Sequence, residues 1–512
     1  MPPTVVARAC PGCPVVASTA STASSRRRIV ARASRVVVAS WAQPSRPSPM
    51  TPTPTPRAVT PTNARRDRFV IARSSADSSS ATSAASAPAI GAHVKLFAAT
   101  GTLFAADKWL EHALCAAGVT FPSALIGMFG VLTVLLITER VVGEEAANGM
   151  VRAVSPALSW IASWLPVFYV PSLVVTPLVV TKIAPSALVK VLVIVVVGFV
   201  TTIAFSATSA NAIRGMTGTA LLPQPAGKPA PPTEAYVYKL WGGALAVAAV
   251  AAMVSGENAF KMMTMVAATV CSFLVGNTPK IKAKMNPIVT TAVLSNVAAA
   301  ALGALTGDGW MGTLSLYRTG VPFGLETVSL LGAGDLLMTF LGSVILSFAF
   351  KVFEARRIIA RHAVEIFGCL ISTSVFAMFT TAFAGKLLGL SAALSAALVP
   401  RSVTVALAIP VTTLLGHPEM VSVTAAGVVL TGLIGSSLCV SILNKVGAKD
   451  PITRGLATAA SAHGLGTAAL VGSEPNASPY CALAYALSGI ISSVLVAVPV
   501  VQTALVSIIG AA

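Results

Sequence analysis

Charged side chains are scarce in this sequence. They account for 10% of its 512 residues, whereas hydrophobic residues account for 55%, and the mean hydropathy is +0.81. A soluble domain carries roughly 25% charged residues, so this chain has too few polar side chains to cover a water-facing surface of its size. The scarcity excludes an ordinary soluble protein. It predicts an all-α polytopic membrane protein, because helices satisfy their own backbone hydrogen bonds in lipid.

Signatures of soluble enzymes are also lacking. The sequence contains no GxSxG nucleophile elbow, no HExxH zinc motif and no Walker phosphate-binding loop. Five of the seven cysteines stand singly among apolar residues, where cysteine behaves as a small hydrophobic side chain. The other two, Cys10 and Cys13, form a lone CxxC in a segment that we expect to be removed. We therefore expect no enzymatic activity, no metal site and no cofactor.

The positive charge is concentrated at the N terminus. Of the net charge of +18, residues 1–92 contribute twelve arginines against two acidic residues, in a background of Ser, Thr, Ala and Pro. This composition is typical of an organellar transit peptide, and its Pro and Ser content favours a plastid. A native disordered tail is the alternative. Because the charge lies in this segment, it does not indicate a nucleic-acid partner, and the lipid bilayer is the expected surrounding.

Long apolar stretches occupy the rest of the chain. A helix needs roughly 20 apolar residues to cross a bilayer core of about 30 Å. The Pro-rich segment 211–236 divides these stretches into two groups. We therefore predict a scaffold domain of about four spans at 93–210, a linker at 211–236 and a transport domain at 237–512. The twelve candidate spans are 94–117, 119–138, 155–181, 188–210, 238–256, 260–277, 286–306, 327–350, 358–384, 420–444, 452–473 and 480–510.

Two further apolar stretches, 310–325 and 387–415, are ambiguous. Pro400 divides the second one into two arms of about 13 residues, and each arm would reach about 20 Å as a helix. That length is too short for a full crossing. We therefore expect residues 387–415 to form a re-entrant or interrupted segment.

Four segments of the transport domain combine helix-breaking residues with polar ones. They fall into two pairs, a Pro break followed by Thr or Ser and a Gly-x-Gly break followed by a polar residue. Irregular backbone at membrane depth is tolerated only where protein or a wet cavity covers it, and matching interruptions in two halves indicate a transporter's substrate site. The pairs predict inverted repeats around such a site. The segments are 285–291 with 399–404, and 330–335 with 461–467.

Arg401 is the main candidate for binding substrate. It follows a helix break in a stretch that is otherwise uncharged from Leu387 to Pro418. A charge inside the membrane is costly and marks function by default, and a guanidinium can hold a carboxylate with two parallel hydrogen bonds. The alternative is an arginine that reaches the membrane interface from the tip of a hairpin.

Two titratable residues lie on the other breaks. His463 could donate to a substrate oxygen or carry a proton near neutral pH, or it could be a packed core residue. Asp335 could be a proton site, or it could cap a half-helix. The candidate proton sites are therefore Asp335 and His463. The candidate substrate-binding residues are Arg401, Ser402, Thr404, His463, Gly464, Gly466, Thr467, Asn286 and Thr290.

Residues 332–335 also spell the GxGD of intramembrane aspartyl proteases. That chemistry needs a second intramembrane carboxylate to share a proton. The chain contains no Tyr-Asp pair, and the other candidate, Asp107, lies beside Lys108 in the first domain. The sequence therefore disfavours a protease.

The C-terminal part resembles the LrgB (CidB-like) family. The family pattern is approximately PKSVTTPIA, a TG-x-x-G helix, a DP-x-x-x-G-L turn and ASHAIGTA. This chain has VPRSVTVALAIPV from 399, TGLIG from 431, DPITRGL from 450 and ASAHGLGTA from 460, and the resemblance extends from about 237 to 512. Residues 94–210 are similar to the partner LrgA family, with FPSALIGM at 121–128 and LPVFYVPSLV at 165–174.

A transit peptide followed by fused LrgA-like and LrgB-like parts resembles plastidal translocators of glycolate and glycerate. The resemblance implies secondary transport of these small 2-hydroxy carboxylates across the chloroplast inner envelope in photorespiration. The chain departs from the family pattern at three places. Arg401 replaces a lysine, Val405 or Ala406 replaces the second proline of PKSVTTP, and Asp335 places a carboxylate where the family often has none. Arginine preserves the attraction for an anion, but a proton role of Asp335 does not follow from the resemblance.

A holin-like or regulatory membrane protein is the competing interpretation, and another small monocarboxylate such as pyruvate or lactate is the competing substrate. Holins act as small oligomerising subunits and need no fixed internal site. A fused chain with paired helix breaks and a charge between them favours the transporter. The sequence leaves open whether protons are co-transported and whether the chain forms a homo-oligomer.

Overall fold

The computed structural model describes residues 87–118, 122–220, 235–321, 323–324, 326–474 and 476–510. These ranges are built from helices and connecting turns and contain no strand. The predicted transit peptide lies outside them, except that the first helix already begins at Ala87. The CxxC of Cys10 and Cys13 and most of the predicted linker also lie outside the described residues.

Five helices precede the linker. They are α1 (Ala87–Ala116), α2 (Ser123–Val141), α3 (Glu144–Val174), α4 (Thr176–Val180) and α5 (Pro185–Thr217). Pro185 lies in the first turn of α5, where a backbone N–H has no carbonyl partner within the helix, so the missing N–H of proline breaks no hydrogen bond. Gly218 closes the helix with a φ of 58°, a left-handed conformation that glycine adopts without a steric penalty.

Fifteen helices follow within the described part of the chain. They are α6 (Ala235–Ser255), α7 (Asn258–Gly276), α8 (Pro279–Lys282), α9 (Pro287–Thr306), α10 (Gly309–Tyr317), α11 (Ala333–Met338), α12 (Leu341–Glu354), α13 (Arg356–Arg361), α14 (Ala363–Leu387), α15 (Ala392–Leu398), α16 (Val405–Leu414), α17 (Val421–Lys445), α18 (Pro451–Ser473), α19 (Ser478–Ala497) and α20 (Pro499–Ile509). Two short 3₁₀ turns lie at Val328–Leu330 and Pro418–Met420.

Ten spans are long and apolar enough to cross a membrane within the described residues. The chain is therefore an all-α polytopic membrane protein, as its composition predicts. Two of the twelve predicted stretches form helices that are not among the ten. They are α1, which carries charged residues including Asp107 and Lys108, and α18, whose backbone is kinked.

Both ambiguous stretches consist of short helices. In 310–325 the helix α10 has nine residues, about 14 Å at 1.5 Å per residue, which is too short to cross. In 387–415 the chain forms α15 and α16 on either side of residues 399–404. The predicted interruption around Pro400 is therefore present.

Two other predictions need correction. The stretch 480–510 is not one helix, because α19 ends at Ala497 and α20 begins at Pro499, where the proline ring prevents continuous helical hydrogen bonding. The segment 285–291 is not an interruption. It is the start of α9, with Asn286 as the capping residue and Pro287 in the first turn.

Helix α5 packs mainly against three helices that follow the linker, namely α14, α17 and α18. It lies antiparallel to α14, because Thr202 and Thr381 lie near the same guanidinium, whereas Arg214 contacts Glu365. Helix α5, which continues to Thr217 and so occupies the start of the predicted linker, is therefore packed against helices of the predicted transport domain.

Candidate functional site

The break around Pro400 lies inside the protein. Every residue from 394 to 408 is buried. The Arg401 N–H donates to the Leu398 carbonyl at 3.0 Å, and the Val403 N–H donates to the Pro400 carbonyl at 2.9 Å. Thr404 then starts α16 in an extended conformation. Irregular backbone is thus covered by protein, as its stability at membrane depth requires.

The Arg401 side chain is 1% exposed. Its Nε donates to the Thr381 hydroxyl at 3.0 Å on α14, and its Nη2 donates to the Thr202 hydroxyl at 3.1 Å on α5. Its third nitrogen, Nη1, has no hydrogen-bond partner in the described part of the chain. No ion pair of Arg401 with a described acidic residue is formed there either. The guanidinium is therefore a buried cation with neutral partners and one nitrogen left for another acceptor.

This environment is costly for a charge. Removing an ion from water costs several kcal/mol even after the protein relaxes, and two hydroxyl groups do not neutralise a guanidinium. A carboxylate beside Nη1 would supply both the missing acceptor and the missing counter-charge. An arginine that anchors at the interface must reach water, and the burial of Arg401 argues against that alternative.

A groove of about 300 Å³ lies beside Arg401, between α5 and α14, and it is open on the side where Val193, Val197 and Leu387 are exposed. Its walls are mostly apolar, and its polar lining comes from Arg401, Thr201, Thr380 and Thr381. The volume is about ten times the ~30 Å³ that a water molecule occupies in the liquid. A carboxylic acid of two or three carbons fits such a space.

Gly198 on α5 allows the helix to approach the guanidinium. A Cβ at this position would lie 2.5 Å from Nη2 and 2.7 Å from Cζ of Arg401. Any other residue would therefore displace either the arginine or α5. The glycine follows a run of branched aliphatic residues, and its role was not evident from the sequence.

His463 kinks α18. Its φ of 41° and ψ of −140° are non-helical, and it is the one non-glycine residue with positive φ in the described ranges. Such strain costs about 1 to 3 kcal/mol and concentrates at functional sites. Nε2 lies 2.8 Å from the Val428 carbonyl, and because a carbonyl can only accept, Nε2 carries the proton. In a neutral ring Nδ1 is then the nitrogen that can accept a proton or a hydrogen bond.

Helix α17 makes room for this imidazole with a glycine. A Cβ on Gly432 would lie 2.5 Å from Cε1 and 2.6 Å from Nε2 of His463. One turn later, Gly435 contacts Ala462 and lies close to the ring of Phe199 on α5. Gly198 therefore faces Arg401, and the next residue, Phe199, packs near Gly435 and in the same apolar cluster as Ala462, the residue before the His463 kink.

The other candidates at the Pro400 break and the His463 kink mainly support the local backbone. The Thr467 hydroxyl donates to the His463 carbonyl at 2.8 Å, so it satisfies a backbone group at the kink. Thr404 lies close to the Tyr485 side chain, and the ring of Tyr485 also packs against Gly464. Gly466 contacts Ala462 of its own helix, and Ser402 is buried in the break.

Asn286, Thr290 and Asp335 lie at two helix starts and form local hydrogen bonds. Asn286 accepts from the Ile288 N–H at 2.9 Å, and the Thr290 hydroxyl donates to the Asn286 carbonyl at 3.2 Å. The Asp335 carboxylate accepts from the Thr319 N–H at 2.7 Å and hydroxyl at 2.9 Å, and from the N–H groups of Gly320 and Gly332, both at 3.1 Å. This is the geometry of the capping alternative. The roles of these residues in binding or proton transfer stay predictions.

The sequence interpretation missed a polar seam between α5 and α14. The Thr373 hydroxyl donates to Ser206 at 3.0 Å, and the hydroxyls of Ser209 and Ser372 are 3.0 Å apart. With Thr202, these α5 residues recur every three or four positions on a mostly apolar helix, which places them on one face. That spacing was a usable signal for a polar interface inside the membrane.

Comparisons with known proteins give the family. The model of the LrgB-like family matches residues 269–502. A plastidal glycolate/glycerate translocator 1, chloroplastic, from Arabidopsis thaliana is 42% identical over 423 residues, which cover 81% of this chain and 81% of the relative. The chain belongs to the LrgB-like family. The resemblance inferred from the motifs at 399, 431, 450 and 460 is thus confirmed.

Bacterial members of this similarity group cover less of the chain. An uncharacterized protein from Haemophilus influenzae is 35% identical over 155 residues, 30% of this chain and 66% of the relative. An uncharacterized protein, YwbG, from Bacillus subtilis is 34% identical over 152 residues, 30% of this chain and 65% of the relative. No solved structure matches.

The matched family segment includes both breaks but not α5. Arg401 and His463 lie within residues 269–502, whereas Gly198 and Thr202 precede that range. The 423 aligned residues of the Arabidopsis relative exceed the family segment in length, so that similarity also extends beyond the LrgB-like part.

Proposed function

We propose that this LrgB-like protein is a secondary transporter of small 2-hydroxy carboxylates, glycolate and glycerate, across the chloroplast inner envelope in photorespiration. The observation that carries the proposal is the buried Arg401 guanidinium, whose Nη1 has no hydrogen-bond partner among the described residues, next to a groove of about 300 Å³ that Arg401 helps to line. The name of the Arabidopsis relative supplies the substrates. The Arg-rich N terminus and the chloroplast location in that name support a plastid membrane.

Binding follows from the charges around the break. The substrate carboxylate accepts a hydrogen bond from Nη1 of Arg401 and neutralises the guanidinium. The N terminus of α16 begins at Val405, four residues after Arg401, and its free N–H groups and partial positive charge also favour an anion. In the sequence, Ser402 and Thr404 stand between the arginine and that helix end. We propose that their hydroxyls bind the 2-hydroxyl group next to the carboxylate.

His463 is the proposed proton carrier if transport is coupled to protons. Its Nε2–H is held by the Val428 carbonyl, so a second proton would be taken up at Nδ1. A protonated imidazole close to an anion site would strengthen binding, and its deprotonation would favour release. Asp335 is the second candidate, and its four hydrogen bonds at the start of α11 weaken that assignment.

The holin-like alternative is less consistent with this site. A pore-forming subunit needs no fixed interior cation, and a buried guanidinium without a counter-charge only destabilises such a protein. A transporter that binds an anion in each cycle needs one. Transport by this binding and release involves no bond making or breaking, so we propose no enzymatic step.

Counterflow in proteoliposomes tests the proposal. Purified full-length protein is reconstituted with internal unlabelled glycolate, and uptake of external labelled glycolate is followed. We expect saturable uptake that glycerate inhibits. Leakage of an unrelated neutral solute such as glucose, or uptake that does not saturate, would support a pore and contradict the transporter.

A further inference from the structure

The two threonines that hold Arg401 use their hydroxyl protons differently. The Thr381 hydroxyl donates to the Ala377 carbonyl at 2.6 Å while its oxygen accepts from Nε of Arg401. The Thr202 oxygen accepts from Nη2. Its O–H has no acceptor among the residues that the structure describes. Thr381 therefore only positions the guanidinium, whereas Thr202 retains a proton that it can donate.

The free donors of Thr202 and Arg401 belong to the same cluster. The Thr202 hydroxyl is bonded to Nη2, and Nη1 is attached to the same guanidinium carbon as Nη2. Thr202 is fully buried, so water does not take the place of its missing acceptor at the protein surface. A carboxylate has two oxygens and about four lone-pair sites, which suits two neighbouring donors.

A glycine on α5 leaves room for the guanidinium next to Thr202. Gly198 lies one helical turn before Thr202 and removes the Cβ that would collide with the guanidinium. Residues four apart lie on the same helix face, so Gly198 and Thr202 together form the wall of α5 that faces Arg401.

We propose that α5 supplies part of the substrate site, with the Thr202 hydroxyl and Nη1 of Arg401 donating together to the carboxylate of a small organic acid. This inference rests on the proposed function and assigns its binding site to both parts of the chain. The segment 93–210 then contributes a substrate contact and is more than a scaffold. Residues that an LrgB-like domain alone does not contain complete the site.

The experiment compares three full-length variants with the unmodified protein in the same glycolate counterflow assay. Thr202→Val keeps the shape of the side chain and removes the donor, whereas Thr202→Ser keeps the hydroxyl. Thr208→Val is the matched control, since Thr208 is exposed on the same helix and its hydroxyl bonds only to the Ala204 and Phe205 carbonyls. Glycolate-induced thermal stabilisation of each purified variant gives its affinity independently of transport.

We expect Thr202→Val to weaken glycolate binding at least tenfold in both measurements, which corresponds to about 1.4 kcal/mol. The glycolate affinities of Thr202→Ser and Thr208→Val should remain within about threefold of that of the unmodified protein. Unchanged affinity of Thr202→Val, while the unmodified protein transports glycolate, would overturn the inference and leave the proposed function standing. Absence of saturable glycolate transport by the unmodified protein would instead overturn the proposed function.

A merely structural role of Thr202 predicts another pattern. If the valine only loosened α5, the melting temperature without substrate would fall and maximal transport would fall with it, at an unchanged glycolate affinity. That outcome would also overturn the inference. A higher KM at an unchanged melting temperature would support it.

Discussion

Arg214 forms a two-pronged pair with Asp450. Nε and Nη2 of the arginine each lie 3.1 Å from one carboxylate oxygen, and Nη1 also contacts Glu365 of α14 at 3.2 Å. Asp450 in turn caps α18 by accepting from the Thr453 N–H at 3.0 Å. The C-terminal end of α5 is therefore fixed to α14 and to the start of α18.

Asp450→Asn should destabilise the fold. Planar charge-assisted pairs are among the stronger polar interactions, and a hydrogen bond to a charged group contributes about 1.5 to 3 kcal/mol. At roughly 2 to 4 °C per kcal/mol in a larger domain, we expect a drop of several degrees in the melting temperature. Thermal unfolding of the purified protein in detergent measures it.

The control for that variant is Arg357→Ala. Arg357 pairs with Glu144 at 2.7 Å but is 74% exposed, and exposed ion pairs contribute only about 0 to 1 kcal/mol. Its melting temperature should stay close to that of the unmodified protein. Equal losses for the two variants would contradict the anchoring role of the Arg214 pair.

Gly198→Ala should impair transport although alanine normally favours a helix. The added methyl group would lie 2.5 Å from Nη2 of Arg401, so either the guanidinium or α5 must move. We expect the KM for glycolate to rise more than tenfold. Gly215→Ala is the matched control on the same helix, because a Cβ there meets no atom within 4 Å. Wild-type kinetics of Gly198→Ala would show that this close approach is dispensable.

The type of fold and the place of one break could be predicted from sequence because their signals are local. A charge-poor apolar pattern specifies membrane helices, and Pro400 divides its stretch into two arms that are each too short to cross a bilayer. The partners of Arg401 could not be predicted. Thr202 and Thr381 are 199 and 20 residues away in the chain, and only the packing of α5 on α14 brings them to the same guanidinium.

The same local motif can also form different structures in two places. A proline followed by Ser or Thr interrupts the chain at 399–404 but stands at the start of a helix at 285–291, since proline is unfavourable inside a helix and favourable in its first turn. Likewise, the local sequence around Asp335, a carboxylate beside a Gly-x-Gly, is compatible with a helix cap and with a proton site. Only the three-dimensional placement of the Thr319 and Gly320 donors favours the cap.

His463→Gly should be more stable than His463→Ala. The φ of 41° at this position suits glycine, whereas a Cβ there keeps the strain of about 1 to 3 kcal/mol. Both variants lose the bond to the Val428 carbonyl, so the difference between their melting temperatures reports the backbone strain alone. We expect a higher melting temperature for His463→Gly. Equal melting temperatures would indicate that α18 straightens when the imidazole is removed.

Asp335→Asn separates the cap from the proton site. If the carboxylate only accepts hydrogen bonds from Thr319, Gly320 and Gly332, the neutral amide weakens them, and the melting temperature falls. The pH dependence of glycolate counterflow should then be unchanged in shape. A shifted or flattened pH profile at an unchanged melting temperature would assign proton transfer to Asp335 instead.

The most direct measurement is labelled glycolate counterflow in proteoliposomes with Arg401→Ala and Arg401→Lys. If Arg401 holds the substrate carboxylate, the alanine variant should lose saturable uptake, because truncating one partner of a buried charge pair costs about 2 to 5 kcal/mol, more than tenfold in affinity. The lysine variant should keep weaker uptake, since lysine retains the charge without the planar two-pronged geometry. Glycolate uptake by Arg401→Ala with an unchanged KM would contradict the assignment of the carboxylate to this guanidinium.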